Sequence, residues 1–176
     1  MIISEINIAQ IKNYEGKQIN LDCEVNPKLG ELDDFTLLAP VKVSGVIRNF
    51  GGTIELDANA HARLQMVCDR CAEDFQTDLD FDIAESFKEI ENIPDENEPD
   101  EESQNPDITY FSGDSISLEE CVYTGLVLSL PGKRLCKEDC KGLCPNCGAN
   151  LNIAECTCDT RPVDPRFAAL DALDLD

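Results

Sequence analysis

The chain has 176 residues, of which 42% are apolar, enough for a globular domain of ordinary size with a buried core. Its 36 acidic and 14 basic side chains give a formal charge of −22, which disfavours general binding to a phosphate backbone and favours a basic partner. No apolar run approaches the roughly 18 residues of a membrane span, and the first residues lack a basic start and a cleavage site, so we expect a cytoplasmic protein with no membrane partner.

The N-terminal part begins weakly and then takes on strand patterns. A short helical or irregular start over residues 4–14 precedes QINLDCEV, whose mixture of apolar and polar residues is compatible with a strand. The alternation becomes regular from Val41 to Arg48 and ends at Asn49-Phe50-Gly51-Gly52, a sequence typical of a hairpin turn. A strand pairing with this one is therefore expected directly after the turn.

Two further alternating segments flank the first cysteine pair. Residues 54–66 keep apolar side chains at every second position, with His61 on the polar face beside Asp57 or Arg63. Residues 75–83 repeat the pattern after Cys68-Asp69-Arg70-Cys71. The local prediction is a strand, a CxxC turn and a second strand, with one face in the core and the other in solvent.

The middle of the chain changes composition. Residues 88–107 carry nine acidic side chains, one lysine and three prolines, which predicts a solvated flexible linker, with an acidic tether for a basic partner as the alternative. Ser117-Leu118-Glu119-Glu120 is a capping box and predicts a helix over residues 117–129 that ends before Pro131. Asp164-Pro165 predicts the start of a short C-terminal helix.

These elements predict an α+β protein. It comprises an antiparallel β-sheet (a meander or a partial barrel), one or two short helices and a C-terminal zinc-stabilised cysteine module. We divide it into a sheet domain that carries the CxxC turn (1–87), an acidic flexible linker (88–107) and a C-terminal part (108–176). That last part holds the helix, the cysteine-rich zinc module and the short C-terminal helix, and packs back on the sheet.

Eight of the ten cysteines form the most specific pattern in the chain. A reducing cytosol keeps thiols free, so closely spaced cysteines there indicate metal ligands rather than disulfides. A C-x2-C turn brings two sulfurs to one metal ion, and a glycine after the second cysteine, such as Gly148, eases the turn by accepting a positive φ. Eight thiols suit two tetrahedral four-cysteine zinc sites, and the metal-ligand candidates are Cys68, Cys71, Cys136, Cys140, Cys144, Cys147, Cys156 and Cys158.

Ligand counting suggests how the eight thiols divide. Cys144 and Cys147 lie close enough in sequence to Cys156 and Cys158 to close a local site. The leftover pair, Cys136 and Cys140, then requires Cys68 and Cys71 from the strand turn. The segment between Leu135 and Cys158 has too few large apolar residues to offset a backbone ordering entropy of roughly 1–2 kcal/mol per residue. We therefore expect this segment to need structural metal in order to fold.

Other interpretations of the cysteines remain open at this point. Cys140-x3-Cys144-x2-Cys147 matches an iron–sulfur spacing of radical enzymes, although the chain lacks the length and the βα units of their barrel. A binuclear cluster of the six C-terminal thiols and a redox role for the Cys68-Cys71 pair are the alternatives. Cys23 and Cys121 have no close partners and are expected to be small buried hydrophobes.

No catalytic constellation is evident in the sequence. His61 is the only histidine, no phosphate-binding loop or dinucleotide motif occurs, and no spacing selects a pair of carboxylates. We expect a protein that is not an enzyme and has no small-molecule substrate. A zinc-dependent or thiol-redox enzyme with an open site at Cys68 and Cys71 is one alternative, and a zinc carrier for ribosomal proteins is another.

One basic cluster stands out against the acidic background. It consists of Lys133, Arg134, Lys137 and Lys141, and Glu138 and Asp139 interrupt it. The cluster either forms a contact patch for a partner or solvates the zinc module.

The order of these features resembles the YceD family, also called large ribosomal RNA subunit accumulation proteins. The resemblance rests on the CxRC turn within a sheet, the acidic linker, the helix ending in LSLPGKRLC, and then CKEDCKGLCPNCGANLN, CTC and DPRFAAL. It covers nearly the whole chain and implies a bacterial ribosome biogenesis factor that supports accumulation of large-subunit ribosomal RNA. The expected partner is a large-subunit precursor, contacted through a basic ribosomal protein rather than through naked RNA.

Overall fold

The structure is a computed structural model and describes residues 2–30, 34–90 and 108–158. The chain forms two units: a sheet unit of Met1–Met66 and Phe75–Gly132, and a cysteine unit of Val67–Asp74 and Lys133–Asp176. The helix predicted at Asp164 and the part of the predicted linker from residue 91 onward lie outside the described residues. The domain boundaries 1–87, 88–107 and 108–176 stay a prediction.

Strands dominate the described residues, and both helices are short. The elements are β1 (Glu5–Asn7), α1 (Ala9–Lys12), β2 (Gln18–Val25), β3 (Phe35–Leu37), β4 (Val41–Phe50), β5 (Thr53–Val67), β6 (Asp74–Glu89), β7 (Ile108–Phe111), β8 (Ser115–Ser117) and α2 (Leu118–Ser129).

The main sheet runs in the order β2-β4-β5-β6-β7, with β3 beside β5, and the short strands β1 and β8 pair separately. Strands β2, β4 and β5 are antiparallel, which confirms the α+β prediction with an antiparallel sheet. Strand β7 lies parallel to β6, with Ser86 opposite Ile108. No local pattern predicted this parallel pair, and β6 continues to Glu89, well past the alternation traced to Ile83.

The predicted hairpin turn joins β4 to β5. Gly51 and Gly52 both have positive φ, 59° and 85°, as a two-residue turn that matches strand twist requires. Asn49 is buried beside this turn, where its Nδ2 donates to the carbonyls of Ile11 (2.9 Å) and Lys12 (2.7 Å). The asparagine therefore fastens the end of α1 to the hairpin.

The core lies on one face of the sheet under α2. The alternation predicted for residues 54–66 is confirmed, since its apolar side chains from Ile54 to Met66 are at most 3% exposed. Ser117 caps α2 as predicted, and its Oγ accepts a hydrogen bond from the N–H of Glu120 at 3.3 Å. A Cβ on Gly125 would lie 3.1 Å from the Phe81 ring, so a glycine there lets the helix approach the strand closely. None of the helices in the described part of the chain has the length and apolar character needed to cross a membrane.

Candidate metal centres

The first C-x2-C turn connects β5 to β6. The N–H of Cys68 donates to the carbonyl of Glu73 at 2.9 Å, and the N–H of Ala72 donates back to the carbonyl of Cys68 at 2.9 Å. Ala72 has a φ of 57° and is the one non-glycine residue with positive φ in the described part of the chain. This tight turn directs both cysteine side chains to the same side.

The second C-x2-C turn repeats this hydrogen-bond pattern at the same offsets. The N–H of Cys144 donates to the carbonyl of Ala149 at 2.8 Å, and the N–H of Gly148 donates to the carbonyl of Cys144 at 2.9 Å. Gly148 has a φ of 73°, as predicted for the residue after the second cysteine. The two turns therefore share one backbone geometry, and each presents a pair of cysteine side chains as ligands.

The first turn is completed by two cysteines that are distant in sequence. Cys68 Sγ lies 3.8 Å from Cys140 Sγ, and Cys71 Sγ lies 3.7 Å from Cys136 Sγ. All four sulfurs lie within 4.8 Å of one another, and we call this group the clasp site. Three of its side chains, those of Cys68, Cys71 and Cys140, are only 2–4% exposed.

The second turn is completed locally by Cys156 and Cys158. Cys156 Sγ lies 3.4 Å from both Cys147 Sγ and Cys144 Sγ, and all four sulfurs again lie within 4.8 Å of one another. We call this group the knuckle site. Cys144 is 2% exposed, whereas Cys147 is exposed and Cys156 and Cys158 are half-buried.

Both groups have the dimensions of a single tetrahedral metal centre. An ion about 2.3 Å from each of four tetrahedral sulfurs places neighbouring sulfurs about 3.8 Å apart, close to the separations in the clasp site. The structure brings together the same two sets of four cysteines that ligand counting predicted. It also places Cys140 in a different set from Cys144 and Cys147, against both the iron–sulfur and the six-thiol interpretations.

Backbone amides favour a thiolate in the clasp site. Burial acts to raise the pKa of the Cys68 thiol, but backbone N–H groups of Cys136, Cys71 and Arg70 outweigh it and lower this pKa to about 6. Burial and the neighbouring thiols raise the pKa of Cys136 to about 12. A cation is therefore required before all four thiols can ionise together.

The knuckle site has the same electrostatic asymmetry. Backbone N–H groups of Cys147 and Asn146 lower the pKa of Cys144 to about 6, although burial opposes them. The thiols of Cys156 and Cys147 raise the pKa of Cys158 to about 12. One sulfur in this set is thus prepared as a thiolate, while another stays protonated unless a cation binds.

Several residues outside the ligand sets hold the clasp site together. Arg70 Nη1 donates to the carbonyl of Cys140 at 2.8 Å, and Asn152 Nδ2 donates to Cys140 Sγ at 3.4 Å. Asp69 forms a two-way link with Arg134, whose N–H donates to Asp69 Oδ2 at 2.7 Å and whose carbonyl accepts from the Asp69 N–H at 2.8 Å. A Cβ on Gly142 would lie 3.0 Å from the carbonyl oxygen of Arg70.

Sequence reasoning missed these supporting roles. Spacing identifies ligands, but it does not tell which carbonyl Arg70 reaches or which sulfur Asn152 contacts. The available signal was composition: Arg70 stands between two cysteines, and Asn150 and Asn152 follow the second turn. Asn152 is held in turn by Asn150, whose Oδ1 accepts from Asn152 Nδ2 at 2.9 Å.

The cysteine unit has no core of large apolar side chains in its described residues. Its buried apolar side chains there are Cys68, Cys71, Cys140 and Cys144, whereas Leu143 and Ile153 are 40% and 79% exposed. The sulfurs therefore occupy the place that leucine and isoleucine take in the sheet unit. That the segment requires metal in order to fold stays a prediction.

The predicted basic patch also lies in the cysteine unit. Lys133, Lys137 and Lys141 are exposed, and Lys137 Nζ lies 4.0 Å from Asp139. Arg134 is half-buried and its backbone is tied to Asp69, so part of its role is structural. Use of these four residues as a contact patch stays a prediction.

The remaining thiols and the histidine lie outside both sets. Cys121 is 6% exposed, which confirms its prediction as a small buried hydrophobe, whereas Cys23 is only half-buried and packs against the edge of the core. His61 is exposed on the polar face of β5, as predicted, and shares Asp78 with Arg63. Its shortest contact is one that the prediction did not include, since His61 Nδ1 lies 2.6 Å from Asp80 on the neighbouring strand β6. Asp57 and Arg63 belong to the same strand as the histidine, whereas Asp80 faces it across the sheet.

Comparison with known proteins places these cysteines in a family context. The family model described as "Large ribosomal RNA subunit accumulation protein YceD" matches residues 56–174, a range that contains all eight clustered cysteines. No solved structure matches the chain significantly.

Three curated relatives from mycobacteria are each described as an uncharacterized protein. One is from Mycobacterium bovis (strain ATCC BAA-935 / AF2122/97), and two are from Mycobacterium tuberculosis, strains CDC 1551 and H37Rv. Each is 32% identical over 103 residues, which cover 58% of this chain and 47% of the relative. The match spans about half the length of these relatives.

Proposed function

We propose, because the chain belongs to the YceD family, that it supports accumulation of large-subunit ribosomal RNA as a non-catalytic assembly protein in the bacterial cytoplasm. The observation that carries this proposal is the family match over residues 56–174. The range covers β6, α2 and both cysteine sets, so the family relationship includes the parts that organise the candidate metal sites.

The proposed cofactor is structural zinc, with one ion in the clasp site and one in the knuckle site. Four thiolates in a tetrahedral set are the donors that structural zinc prefers, and the sulfur separations of 3.7–3.8 Å in the clasp site support this choice. Zinc would supply folding energy to a unit that buries sulfur in place of a leucine core. The ligands themselves are held by the two C-x2-C turns and by Arg70 and Asn152.

The ligand sets also support a non-catalytic role. Catalytic zinc keeps one coordination position open for water beside three protein ligands. Each set here offers four sulfurs, which would fill a tetrahedral zinc centre and leave no position for a substrate. This arrangement disfavours the alternative of a zinc-dependent enzyme at Cys68 and Cys71.

The proposed partner is a basic ribosomal protein of the large-subunit precursor. Asp78, Asp80 and Asp82 project from the solvent face of β6 at every second residue, and all three are exposed. Arg63 forms an ion pair with Asp78, and His61 and Asn59 contact Asp80 and Asp82, which leaves the row with a net negative charge. An extended row of carboxylates suits a lysine- and arginine-rich surface better than a phosphate backbone.

Depletion of the protein in its host tests the function directly. We expect depletion to lower the large ribosomal subunit relative to the small one and to change large-subunit precursor RNA, as measured by gradient profiling and precursor analysis. Wild-type protein and Cys23→Ser, which leaves both cysteine sets intact, should restore the profile. A depleted strain with unchanged large-subunit levels would refute the proposal.

The partner is tested by affinity purification at moderate salt. We expect large-subunit proteins to be recovered with the wild-type chain and less with Asp78→Asn/Asp80→Asn. The matched control is Glu5→Gln/Glu15→Gln, which removes the same charge from exposed positions elsewhere in the sheet unit. Equal loss from both variants would assign the effect to net charge rather than to the row on β6.

A further inference from the structure

The two cysteine sets differ in how far their sulfurs are protected from solvent. In the clasp site, Cys68, Cys71 and Cys140 are 2–4% exposed and Cys136 is half-buried, and Asn152 Nδ2 covers Cys140 Sγ from 3.4 Å. In the knuckle site, only Cys144 is buried to this degree, and Cys147 is exposed. A dissolved reagent therefore meets the knuckle site first.

The sets also differ in how they are anchored in the chain. The clasp ligands come from two segments about 65 residues apart in sequence, and Arg70, Asp69 and Asn152 hold those segments together by hydrogen bonds. The knuckle ligands all come from Cys144–Cys158. Loss of one knuckle ligand therefore disturbs a short local loop, whereas loss of a clasp ligand separates distant segments.

Within the knuckle site, one pair of thiols is arranged for oxidation. Cys147 is exposed, and its Sγ lies 3.4 Å from Cys156 Sγ, which is half-buried. Cys144 Sγ is equally close to Cys156 but is shielded at 2% exposure. The accessible Cys147 sulfur thus has a partner sulfur 3.4 Å away, an arrangement typical of reversible thiol oxidation.

The geometry points to the knuckle site as an oxidant-sensitive metal site, in which a hydroperoxide converts Cys147 and Cys156 into a disulfide while the clasp site keeps its metal. This inference rests on the proposed zinc content. It goes beyond the assembly role because it assigns the two metal ions different fates.

The chemistry balances with one peroxide molecule. The Cys147 thiolate attacks one peroxide oxygen, the O–O bond breaks, and the sulfur becomes a sulfenic acid as hydroxide leaves. The Cys156 thiolate then attacks that sulfur, a disulfide forms and a second hydroxide leaves. Two sulfurs lose two electrons in total, hydrogen peroxide accepts them, and two protons from solvent convert the hydroxides to water.

After this step the knuckle site has two free thiols, those of Cys144 and Cys158. Two ligands hold a zinc ion far more weakly than four, so the remaining pair no longer retains it. The clasp site is unaffected, since it shares no ligand with the knuckle site. The expected product is a chain with one metal ion and one disulfide.

The test uses the full-length protein purified anaerobically and titrated with hydrogen peroxide. Zinc release is followed with a chromophoric indicator, and disulfides are mapped by peptide mass spectrometry. We expect one zinc equivalent per chain to be released, with a Cys147–Cys156 disulfide and no disulfide among the clasp cysteines. Release of both ions together, or a first disulfide within the clasp site, would overturn the inference.

Two matched variants sharpen the test. Cys147→His keeps a nitrogen ligand for zinc but removes the exposed sulfur, and Cys71→His makes the same change at the equivalent position of the other turn. We expect the first variant to release zinc at least tenfold more slowly than wild type under peroxide, and the second to release its knuckle zinc at the wild-type rate. Equal rates for Cys147→His and wild type would contradict the assignment.

A measurement on the wild-type protein alone covers the case in which a histidine variant fails to load zinc. Pulsed alkylation of the zinc-loaded chain should label Cys147, the one exposed ligand in either site, before any clasp cysteine, and the reverse order would overturn the inference. Failure of the proposed zinc content gives a different result, because a chain that is purified without zinc contradicts it before peroxide is added. A chain that binds two zinc ions but releases both under peroxide contradicts only the selective oxidation of the knuckle site.

Discussion

Ala72 and Gly148 occupy the same place in two turns with the same backbone hydrogen bonds. Each follows the second cysteine of a C-x2-C pair, and each donates its N–H to the carbonyl of the first cysteine at 2.9 Å. Both have left-handed φ values, 57° and 73°. A side chain costs roughly 1–2 kcal/mol in this region, so the first turn carries a strain that the glycine of the second avoids.

Exchanging these two residue types should shift the stability of the two sites in opposite directions. We expect Ala72→Gly to stabilise the clasp site by about 0.5–1 kcal/mol and Gly148→Ala to destabilise the knuckle site by about 1 kcal/mol. Competition with a zinc chelator would detect these changes as about two- to fivefold shifts in retention of one ion. Gly132→Ala is the control, since a Cβ at Gly132 meets nothing within 4 Å. Weaker metal retention in Ala72→Gly would show that the alanine is not strained.

The same pair of residues shows what the sequence could predict. Gly148 signals its turn, because glycine after a C-x2-C pair indicates a positive φ, and ligand counting then assigns Cys156 and Cys158 to that turn. Ala72 gives no such signal, since alanine rarely adopts this conformation. Its positive φ accompanies the backbone hydrogen bonds of Cys68 with Glu73 and Ala72, which close the turn between β5 and β6.

Longer-range contacts were less predictable for a similar reason. Period-two patterns predicted β4, β5 and β6, because a strand with one buried face has an apolar residue at every second position. Nothing local marks β7 as a parallel neighbour of β6, or Asp80 as the contact of His61. Those contacts depend on how segments align across the sheet, and the sequence of either strand alone does not contain that register.

The Cys68→Ser variant tests the assignment of ligands to the two sites. We expect it to bind one zinc ion where the wild-type chain binds two, and to increase amide hydrogen exchange over residues 132–142. Cys68 is not a ligand of the knuckle site, so residues 144–158 should keep the wild-type protection from amide hydrogen exchange. Metal analysis with hydrogen-exchange mass spectrometry measures both effects, and Cys23→Ser should retain two ions. Loss of both ions or of neither would contradict the assignment.

Substitution of Gly142 should disrupt the clasp site through both backbone strain and a clash. Gly142 has a φ of 75°, and a Cβ there would lie 3.0 Å from the carbonyl oxygen of Arg70. Gly148→Ala is a close control, since Gly148 has nearly the same φ but no atom within 4 Å of an added Cβ. We expect Gly142→Ala to cost about 2–3 kcal/mol and to exceed Gly148→Ala by at least 1 kcal/mol in chelator competition. Equal effects would mean that the Arg70 carbonyl moves aside freely.

The thiol of Cys121 should make the sheet unit less stable at alkaline pH. Burial in α2, with Glu85 and Glu120 nearby, raises the pKa of Cys121 from its ordinary value of 9.0 to about 12. The folded state therefore holds this proton more tightly than the unfolded state does. The resulting stability is fully present below pH 9 and is lost as the pH rises toward 12, at up to about 1.4 kcal/mol per pH unit.

Denaturant unfolding of wild type and Cys121→Ala between pH 8 and pH 10.5 isolates this contribution. The variant loses packing and the contact from Cys121 Sγ to the Ser117 carbonyl at 3.1 Å, so it should be less stable at pH 8. Because it has no thiol to ionise, its disadvantage should shrink by about 1–2 kcal/mol by pH 10.5. Lysines, tyrosines and the zinc ligands titrate in both proteins, so their effects cancel in the difference. Parallel stability curves over this range would mean that Cys121 ionises as easily in the folded chain as in the unfolded one, contrary to its burial on the core-facing side of α2.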